Sequence, residues 1–172
     1  WRLGHHFDKL SAQVDDPATR CSQRKRWRRA RLRLTARITN LADEIHWQTI
    51  NILLQRFDVI LIPEFQVKGM TIRQGPRGRR KINRSVTRRM LMWAHYRFRQ
   101  RLLYKAREWG KTVVVVNEAY TSKTCTGCGV LNQKLGGNKV FKCNACSLVI
   151  DRDVNGARNI ALRTVCAQRS SS

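Results

Sequence analysis

Four cysteines stand in two tight pairs, Cys125-Thr-Gly-Cys128 and Cys143-Asn-Ala-Cys146, with fourteen residues between the pairs. Four thiolates at this spacing are typical of a structural zinc site, in which sulfur fills all four tetrahedral positions. The intervening Gly136-Gly137 and Lys139-Val-Phe141 predict a turn that leads into a short strand, as in a zinc ribbon. The alternative is a pair of disulfides. No signal peptide precedes the cysteines, and the chain lacks the other marks of a small secreted scaffold, so we expect zinc.

The charge of the chain indicates its partner. With 35 Lys and Arg against 11 Asp and Glu, the formal charge is +24, and a field of this size attracts a polyanion such as nucleic acid or a membrane surface. The chain has no run of eighteen apolar residues, and its apolar residues follow globular periods, which argues against the membrane. The side chains expected to contact nucleic acid are Arg24, Lys25, Arg28, Arg31, Arg77, Arg79, Arg80, Lys81, Arg84 and Arg88.

Hydrophobic periodicity predicts the first elements of the fold. The first sixteen residues look irregular, and Asp16-Pro17 predicts the cap and first turn of a helix that continues to about Phe57. The apolar, β-branched run at 58–62 predicts a buried strand. A loop rich in glycine and basic residues follows, from Lys68 to Lys81.

The second half of the chain continues this order. A second long helix is predicted from Asn83 or Ser85 to Trp109, because Gly110 then ends it. The run at 112–116 predicts a second buried strand. Strand, basic loop, long helix and strand together favour a parallel β-α-β unit. After the ribbon, a last helix is predicted from Asp153 to about Val165.

Two carboxylates stand at positions where a basic chain has little reason to place them. Glu64 lies just past the first predicted strand, and Asp153 begins the last helix. Two converging carboxylates supply the hard oxygen ligands that Mg²⁺ or Mn²⁺ prefers, and such ions support phosphodiester hydrolysis. The alternatives are a surface charge at a strand end for Glu64 and a helix N-cap for Asp153. Position alone leaves these alternatives open.

Several segments resemble the carboxy-terminal end of the TnpB family. They are Thr121-Ser-Lys-Thr-Cys125-Thr-Gly-Cys128, Phe141-Lys-Cys143-Asn-Ala-Cys146 and Asp151-Arg-Asp153-Val-Asn-Gly-Ala-Arg-Asn159. Val59-Ile-Leu-Ile-Pro-Glu64 and His95-Tyr-Arg-Phe-Arg extend the resemblance upstream, so that it covers roughly residues 25–165. The family comprises insertion-sequence proteins long described as transposases, and its relatives are the Fanzor proteins and the compact type V CRISPR nucleases.

The resemblance implies a fold class and a domain organisation. The fold would be α/β: a partial RNase H-like domain of RuvC type, with long helices and an inserted four-cysteine zinc ribbon. The implied domains are the partial RuvC-like domain at 1–120, lacking its first strands, and a zinc ribbon of the target-nucleic-acid-binding type at 121–150. A closing RuvC helix at 151–168 and a disordered tail at 169–172 complete the chain.

The resemblance also implies three catalytic acids. Glu64 falls on the second acid and Asp153 on the third, whereas Asp151 supports the helix start. The first acid should follow an early strand, and Asp8 and Asp15-Asp16 lack a preceding β-branched run. We therefore expect a carboxy-terminal part that begins after the first catalytic strand and has negligible nuclease activity on its own.

Two functions remain open. The resemblance implies an RNA-guided DNA endonuclease that binds DNA and a guide RNA, with structural Zn²⁺ and catalytic Mg²⁺ or Mn²⁺. The alternative is a non-catalytic nucleic-acid-binding remnant that keeps the ribbon and the basic helices. Either protein would be intracellular, nuclear in a eukaryotic or viral setting and cytoplasmic otherwise, and the oligomeric state is open. The histidines lack metal spacing and are expected to be structural or surface residues: His5, His6, His46 and His95.

Overall fold

Two compact units make up the described part of the chain. The computed structural model describes residues 2–64, 82–133, 135–136 and 138–169. The helical unit spans Trp1–Phe57 and Gln66–Gly110, and the mixed unit spans Asp58–Phe65 and Lys111–Ser172. Nowhere within these described ranges is a helix both long enough and apolar enough to cross a membrane.

The helical unit contains four helices in its described residues: α1 (Arg2–Asp15), α2 (Cys21–Arg56), α3 (Arg84–Trp93) and α4 (His95–Glu108). Helix α2 contacts each of the other three. Its inward face includes the buried residues Ala42, His46, Ile50 and Leu54, and α4 contributes Leu102 and Ala106 to the interior. The predicted end of the first long helix near Phe57 is confirmed, since the Phe57 N–H closes the last turn onto the Leu53 carbonyl at 3.0 Å.

The expectation of an irregular amino-terminal segment is wrong, because residues Arg2–Asp15 form α1. Leu3, Phe7, Leu10 and Val14 recur at intervals of three and four, which places them on one face of a helix. Leu10 and Val14 are buried, and α1 packs against α2. Burial of this apolar face explains why the segment is helical despite its glycine and histidines.

The predicted helix start at Asp16-Pro17 is also wrong. Helix α2 begins at Cys21 with Arg20 at the N-cap position. The Asp16 carboxylate instead accepts the Ala18 N–H at 2.9 Å within the turn that joins α1 to α2. Arg24 Nη2 donates to three carbonyls of the same turn, those of Asp16, Pro17 and Thr19. Asp16 therefore stabilises the turn instead of capping the helix, and the helix starts four residues later than predicted.

The second predicted helix is two helices, because Ala94 adopts a left-handed conformation with φ 52° and ψ 51°. Its predicted start is confirmed, since Asn83 accepts the Ser85 N–H at 2.9 Å. Buried His46 explains the break: its Nε2 donates to the Trp93 carbonyl at 2.9 Å. In a continuous helix that carbonyl would accept from the amide four residues later. The histidine of α2 thus replaces an intrahelical hydrogen bond.

Charged groups surround His46 on its other side. Arg101 Nη1 lies 3.5 Å from His46 Nδ1 and donates to Asp43 Oδ1 at 2.8 Å. Arg97 also donates to Asp43 Oδ1, at 3.0 Å. The hydrogen bond from Arg101 holds the pKa of Asp43 below its usual range. Burial lowers the pKa of His46, with the nearby Arg101 charge acting in the same direction.

We expect the stability of the helical unit to decrease as pH is lowered through the range in which histidine titrates. The folded pKa of His46 lies below the unfolded value of about 6.5. Its contribution is therefore present above that unfolded value and is lost as pH falls from there towards the folded pKa. The urea midpoint of unfolding should drop between about pH 7.5 and pH 5. The drop should be smaller in His46→Gln, and an unchanged pH dependence in that variant would contradict the assignment.

The mixed unit contains the predicted parallel strand pair. Strands β1 (Val59–Pro63) and β2 (Thr112–Val116) pair in register from Val59↔Thr112 to Pro63↔Val116. The prediction that both strands are buried is wrong: Val59 is 58% and Val115 41% exposed, and only Ile60 of β1 is buried. Among the described residues these strands pair only with each other, so neither is flanked on both edges. The parallel order is confirmed and the central position is not.

The rest of the mixed unit is the ribbon and the last helix. Strands β3 (Val140–Lys142) and β4 (Val149–Asp151) are antiparallel, and α5 (Arg152–Arg169) follows β4 directly. The ribbon has its own small core of Cys125, Leu135, Phe141 and Cys143, against which Leu148 and Ile150 pack. Helix α5 contacts β1, β3 and β4. The helix therefore connects the ribbon to the parallel strand pair.

Candidate metal centre and acidic site

The structure brings the four cysteines of the two pairs together. Their Sγ atoms all lie within 4.8 Å of one another, and two of the separations are 3.6 Å, Cys125 to Cys146 and Cys128 to Cys143. Sulfurs bound to one tetrahedral zinc at about 2.3 Å would be about 3.8 Å apart. A disulfide requires about 2.05 Å, and all six cysteines are free thiols. The donor set and its spacing therefore fit one zinc ion.

The two pairs are built as equivalent turns. Gly127 N–H points to Cys125 Sγ and Ala145 N–H to Cys143 Sγ, each at 3.4 Å. The fourth residue after each first cysteine is left-handed: Gly129 with φ 75° and Ser147 with φ 57°. Glycine suits this conformation in the first turn, because it adopts positive φ without steric cost. The amide donors of both turns lower the cost of negative charge on the sulfurs.

The thiol pKa values show why a cation belongs here. Amide hydrogen bonds from Cys146 and Ala145 lower the pKa of Cys143 to about 6. At Cys146 the Leu148 amide acts in the same direction, but the three neighbouring cysteines outweigh it and raise the pKa to about 12. Ionisation is thus favoured at Cys143 and carries a penalty at Cys146. A bound dication would remove this penalty.

Glu64 continues the parallel strand pair at its carboxyl end. Its N–H donates to the Val116 carbonyl at 2.8 Å, one step beyond the last pair of β1 and β2. The side chain is exposed. Functional groups of α/β sheets collect at the carboxyl ends of parallel strands. The backbone is therefore tied to the sheet while the carboxylate projects from its edge.

Asp153 lies in the first turn of α5, and it is not the cap of that helix. Asp151 Oδ1 accepts the N–H groups of Asp153 and Val154 at 2.8 and 3.2 Å, so Asp151 performs the capping role. The Asp153 side chain is 89% exposed and lies 3.6 Å from Arg152 Nε. The prediction that Asp151 supports the helix start is confirmed, and the Asp153 carboxylate remains accessible.

The early acids are engaged in hydrogen bonds or ion pairs within the helical unit. Asp8 accepts from Ser85 Oγ at 2.9 Å and pairs with Arg88 at 2.7 Å. Asp15 lies 3.8 Å from Arg31, and Asp16 holds the turn before α2. None of these acids follows a strand in the described residues. They have the contacts of structural carboxylates.

The described part of the predicted nucleic-acid surface divides into two groups. Arg24 and Arg88 have internal partners, the carbonyls and the carboxylate described above, and Arg31 faces Asp15. Lys25 and Arg28 are exposed on α2. Four further arginines are exposed on the same helix: Arg26, Arg29, Arg33 and Arg37. The remaining predicted residues, namely Arg77, Arg79, Arg80, Lys81 and the side chain of Arg84, lie outside the described residues.

Two asparagines of α5 are functional candidates to which the sequence motif alone assigned no role. Asn155 is fully buried: its Oδ1 accepts the Thr126 N–H at 3.1 Å and its Nδ2 donates to the Thr124 carbonyl at 2.7 Å. Asn159 Nδ2 donates to the carbonyls of Thr121 and Thr124, at 2.8 and 2.7 Å. Their spacing of one helical turn was the available signal.

Comparison with known proteins shows which proteins this chain is similar to. A family model described as the Cas12f1-like TNB domain matches residues 95–160. A TnpB-like protein of Acanthamoeba polyphaga mimivirus is 31% identical over 155 residues, which are 90% of this chain and 29% of that protein. The CRISPR-associated endodeoxyribonuclease Cas12f1 of Sulfoacidibacillus thermotolerans is 38% identical over 74 residues, 42% of this chain and 18% of that protein. The chain thus spans less than a third of either relative.

A solved structure shares the fold. The cryo-electron microscopy structure of a Cas12f1–sgRNA–target DNA complex matches with a TM-score of 0.51 and 23% identity, over 92% of this chain and 41% of the Cas12f1 chain. With the family model, the viral relative and the fold in agreement, this chain belongs to the TnpB family.

Proposed function

We propose that this chain is the catalytic carboxy-terminal part of an RNA-guided DNA endonuclease of the TnpB type. Glu64 and Asp153 would be two of the acids of a RuvC-type, RNase H-like site. The carrying observation is that both acids lie in the mixed unit, Glu64 at the carboxyl end of β1 and Asp153 in the first turn of a helix that contacts β1. The relatives named for TnpB and for an endodeoxyribonuclease support the same function.

The acidic residues would serve as oxygen ligands. Mg²⁺ or Mn²⁺ bound there would help to activate water and to stabilise the leaving oxygen of a phosphodiester. The chain's own contribution is to hold two carboxylates on rigid elements, a strand end and a capped helix start. Exposure of both side chains leaves them accessible to a nucleic-acid strand.

The ribbon would have a structural role. Cys125, Cys128, Cys143 and Cys146 would bind one zinc and leave no coordination position for water. We propose the domain bounds expected from the resemblance: a partial RuvC-like domain at 1–120, the target-nucleic-acid-binding ribbon at 121–150, a closing helix from 151 and a short tail. The helix ends at Arg169, one residue later than the expected 168. The tail at 170–172 lies outside the described residues.

The partners would be DNA and a guide RNA. Support comes from the charge of +24, from the exposed arginines and lysine of α2, and from the complex of the structural relative with sgRNA and target DNA. Contacts to phosphates would position the strand without reading its bases. Such a protein would act inside cells, in the nucleus in a eukaryotic or viral setting.

Nucleic-acid binding should depend strongly on salt. Each neutralised phosphate releases counterions, so the slope of log affinity against log salt should fall by roughly 0.9 for each duplex contact removed. Replacing Lys25, Arg28, Arg29 and Arg33 with alanine should therefore flatten the slope by about 3.6 for a DNA duplex. Fluorescence anisotropy between low and high salt measures this slope. Lys105→Ala is the matched control, because its ammonium is paired with Glu108 at 2.6 Å, and binding independent of salt would reject the proposal.

A second function has one observation in its favour. Asp8, Asp15 and Asp16 have hydrogen-bonding or ion-pair partners and follow no strand in the described residues, so none of them resembles a first catalytic acid. A non-catalytic nucleic-acid-binding remnant would have the same ribbon and basic helix. DNA cleavage by the chain joined to the parts of a relative that it does not cover distinguishes the two, because only the endonuclease would gain activity that depends on Glu64 and Asp153.

A further inference from the structure

Three side chains of α5 lie at successive turns and bind the same stretch of backbone. Asn155, Asn159 and Arg163 are four residues apart, so they share one face of the helix. Arg163 Nη1 donates to the Ala119 carbonyl at 2.9 Å, and the two asparagines bind carbonyls and an amide between Thr121 and Thr126. This row therefore holds the whole segment that runs from the end of β2 into the first cysteine turn.

The contacts of Asn155 enclose a metal-binding residue. The Thr124 carbonyl and the Thr126 N–H flank Cys125, and Asn155 binds both. Its amide is fully buried and satisfied at both ends, so it has little freedom to move relative to the turn. Cys125 itself is 1% exposed. A displacement of the cysteine turn would therefore break the hydrogen bonds of Asn155. Because the site is buried, water could not readily replace them.

The same helix carries the acid. Asp153 precedes Asn155 by two residues in the first turn of α5, and Asp151 caps that turn. Helical geometry fixes the backbone positions of Asp153 and Asn155 relative to each other. The cysteine turn and the Asp153 backbone are thus joined through one buried amide.

We propose that Asn155 and Asn159 are positioning residues that couple occupancy of the cysteine centre to the placement of Asp153. This inference rests on the proposed zinc site and goes beyond it, because it assigns the ribbon a role in ordering the acidic site. Coupling between two sites is reciprocal. Loss of zinc should loosen the first turn of α5, and loss of the asparagine contacts should weaken zinc binding.

The test uses the zinc-loaded full chain and two measurements. Zinc affinity is measured by competition with a chromophoric chelator, and hydrogen exchange is followed in the peptide that covers the start of α5. Substitution of groups that orient metal ligands typically costs 10–100-fold in metal affinity, so Asn155→Ala should weaken zinc binding by at least about tenfold. Asn159→Ala, a variant that leaves the fully buried amide in place, should show a smaller loss in the same direction. Asn144→Ala is the matched control, since Asn144 is exposed in the second cysteine turn, and it should leave both measurements unchanged.

If Asn155 were purely structural, zinc removal and Asn155→Ala would have additive effects on hydrogen exchange at the start of α5. If Asn155 couples the two sites, the effects would not be additive. Removing zinc from the unsubstituted chain should raise exchange at the start of α5. In Asn155→Ala that exchange should already be raised, so zinc removal should add little. If Asn155→Ala fails to fold, Asn159→Ala is tested for the same non-additivity. Additive effects, or an α5 start that does not respond to zinc, would overturn the coupling while leaving the zinc site intact. Absence of zinc from the unsubstituted chain would overturn the proposed zinc site on which this inference rests.

Discussion

Cys128→Ser should unfold the ribbon and leave the helical unit largely intact. Binding of structural zinc supplies roughly 10–16 kcal/mol in small Cys and His sites, and this free energy is folding free energy. The ribbon has few other sources of stability, because its core consists of little more than Phe141, Leu135 and the cysteines themselves. The helical unit buries its own apolar residues, among them Ile50, Leu54 and Leu102. The two parts should therefore respond differently.

Three measurements check this expectation. Zinc content by elemental analysis should fall from one ion per chain to well below one. Hydrogen exchange at β3 should rise to the rate of an unfolded peptide, while far-ultraviolet circular dichroism should lose little helix. Cys21→Ser is the matched control, because Cys21 is exposed and outside the four-cysteine cluster. A Cys128→Ser protein that keeps one zinc and a protected β3 would contradict the assignment.

Glu64→Ala and Asp153→Ala should each abolish DNA cleavage once the chain is joined to the parts of the mimivirus relative that it does not cover. A catalytic metal ion contributes several kcal/mol to transition-state stabilisation, and about 4 kcal/mol corresponds to roughly a 10³-fold loss of rate. The chain alone should cleave negligibly, because two carboxylates bind Mg²⁺ weakly. DNA binding should survive both substitutions, since neither removes a cation.

Cleavage is measured on a supercoiled plasmid carrying the guide-matched target. Glu44→Ala is the matched control: it removes an exposed carboxylate of α2 that accepts a hydrogen bond from Gln48. Full activity of either acid variant would show that the residue is not a metal ligand. Robust cleavage by the isolated 172 residues would show that the chain has a complete site of its own.

The sequence predicts the ribbon well because its determinants are local. Two Cys-x-x-Cys turns with a glycine-rich connection admit few arrangements, and the four sulfurs converge as the spacing requires. The parallel pairing of β1 with β2 is also predictable from the order of the elements. A long connection that contains helices separates the two strands, and parallel strands require a crossover of this kind. The burial of those strands is not predictable from their composition, because burial depends on neighbouring strands that the described residues do not provide.

Other features depend on residues far apart in sequence. The break at Ala94 arises from His46, 47 residues before Trp93, and no local signal marks it. Helix α1, by contrast, has a local signal in the spacing of its apolar residues at intervals of three and four. The role of Asn155 requires Thr124 and Thr126 to be placed against it, 31 and 29 residues away in the chain. Contacts of this kind are decided by tertiary packing rather than by a local pattern.

The most direct test of the central proposal is to locate a divalent ion at the two acids. Crystals of the zinc-loaded chain, soaked in a high concentration of Mn²⁺, would be measured for anomalous scattering from manganese. We expect one manganese with carboxylate oxygens of both Glu64 and Asp153 at about 2.1 Å, and the two carboxylates roughly 4–8 Å apart. Glu64 and Asp153 on opposite faces of the β1–β2 sheet, with manganese bound to neither, would contradict the nuclease assignment.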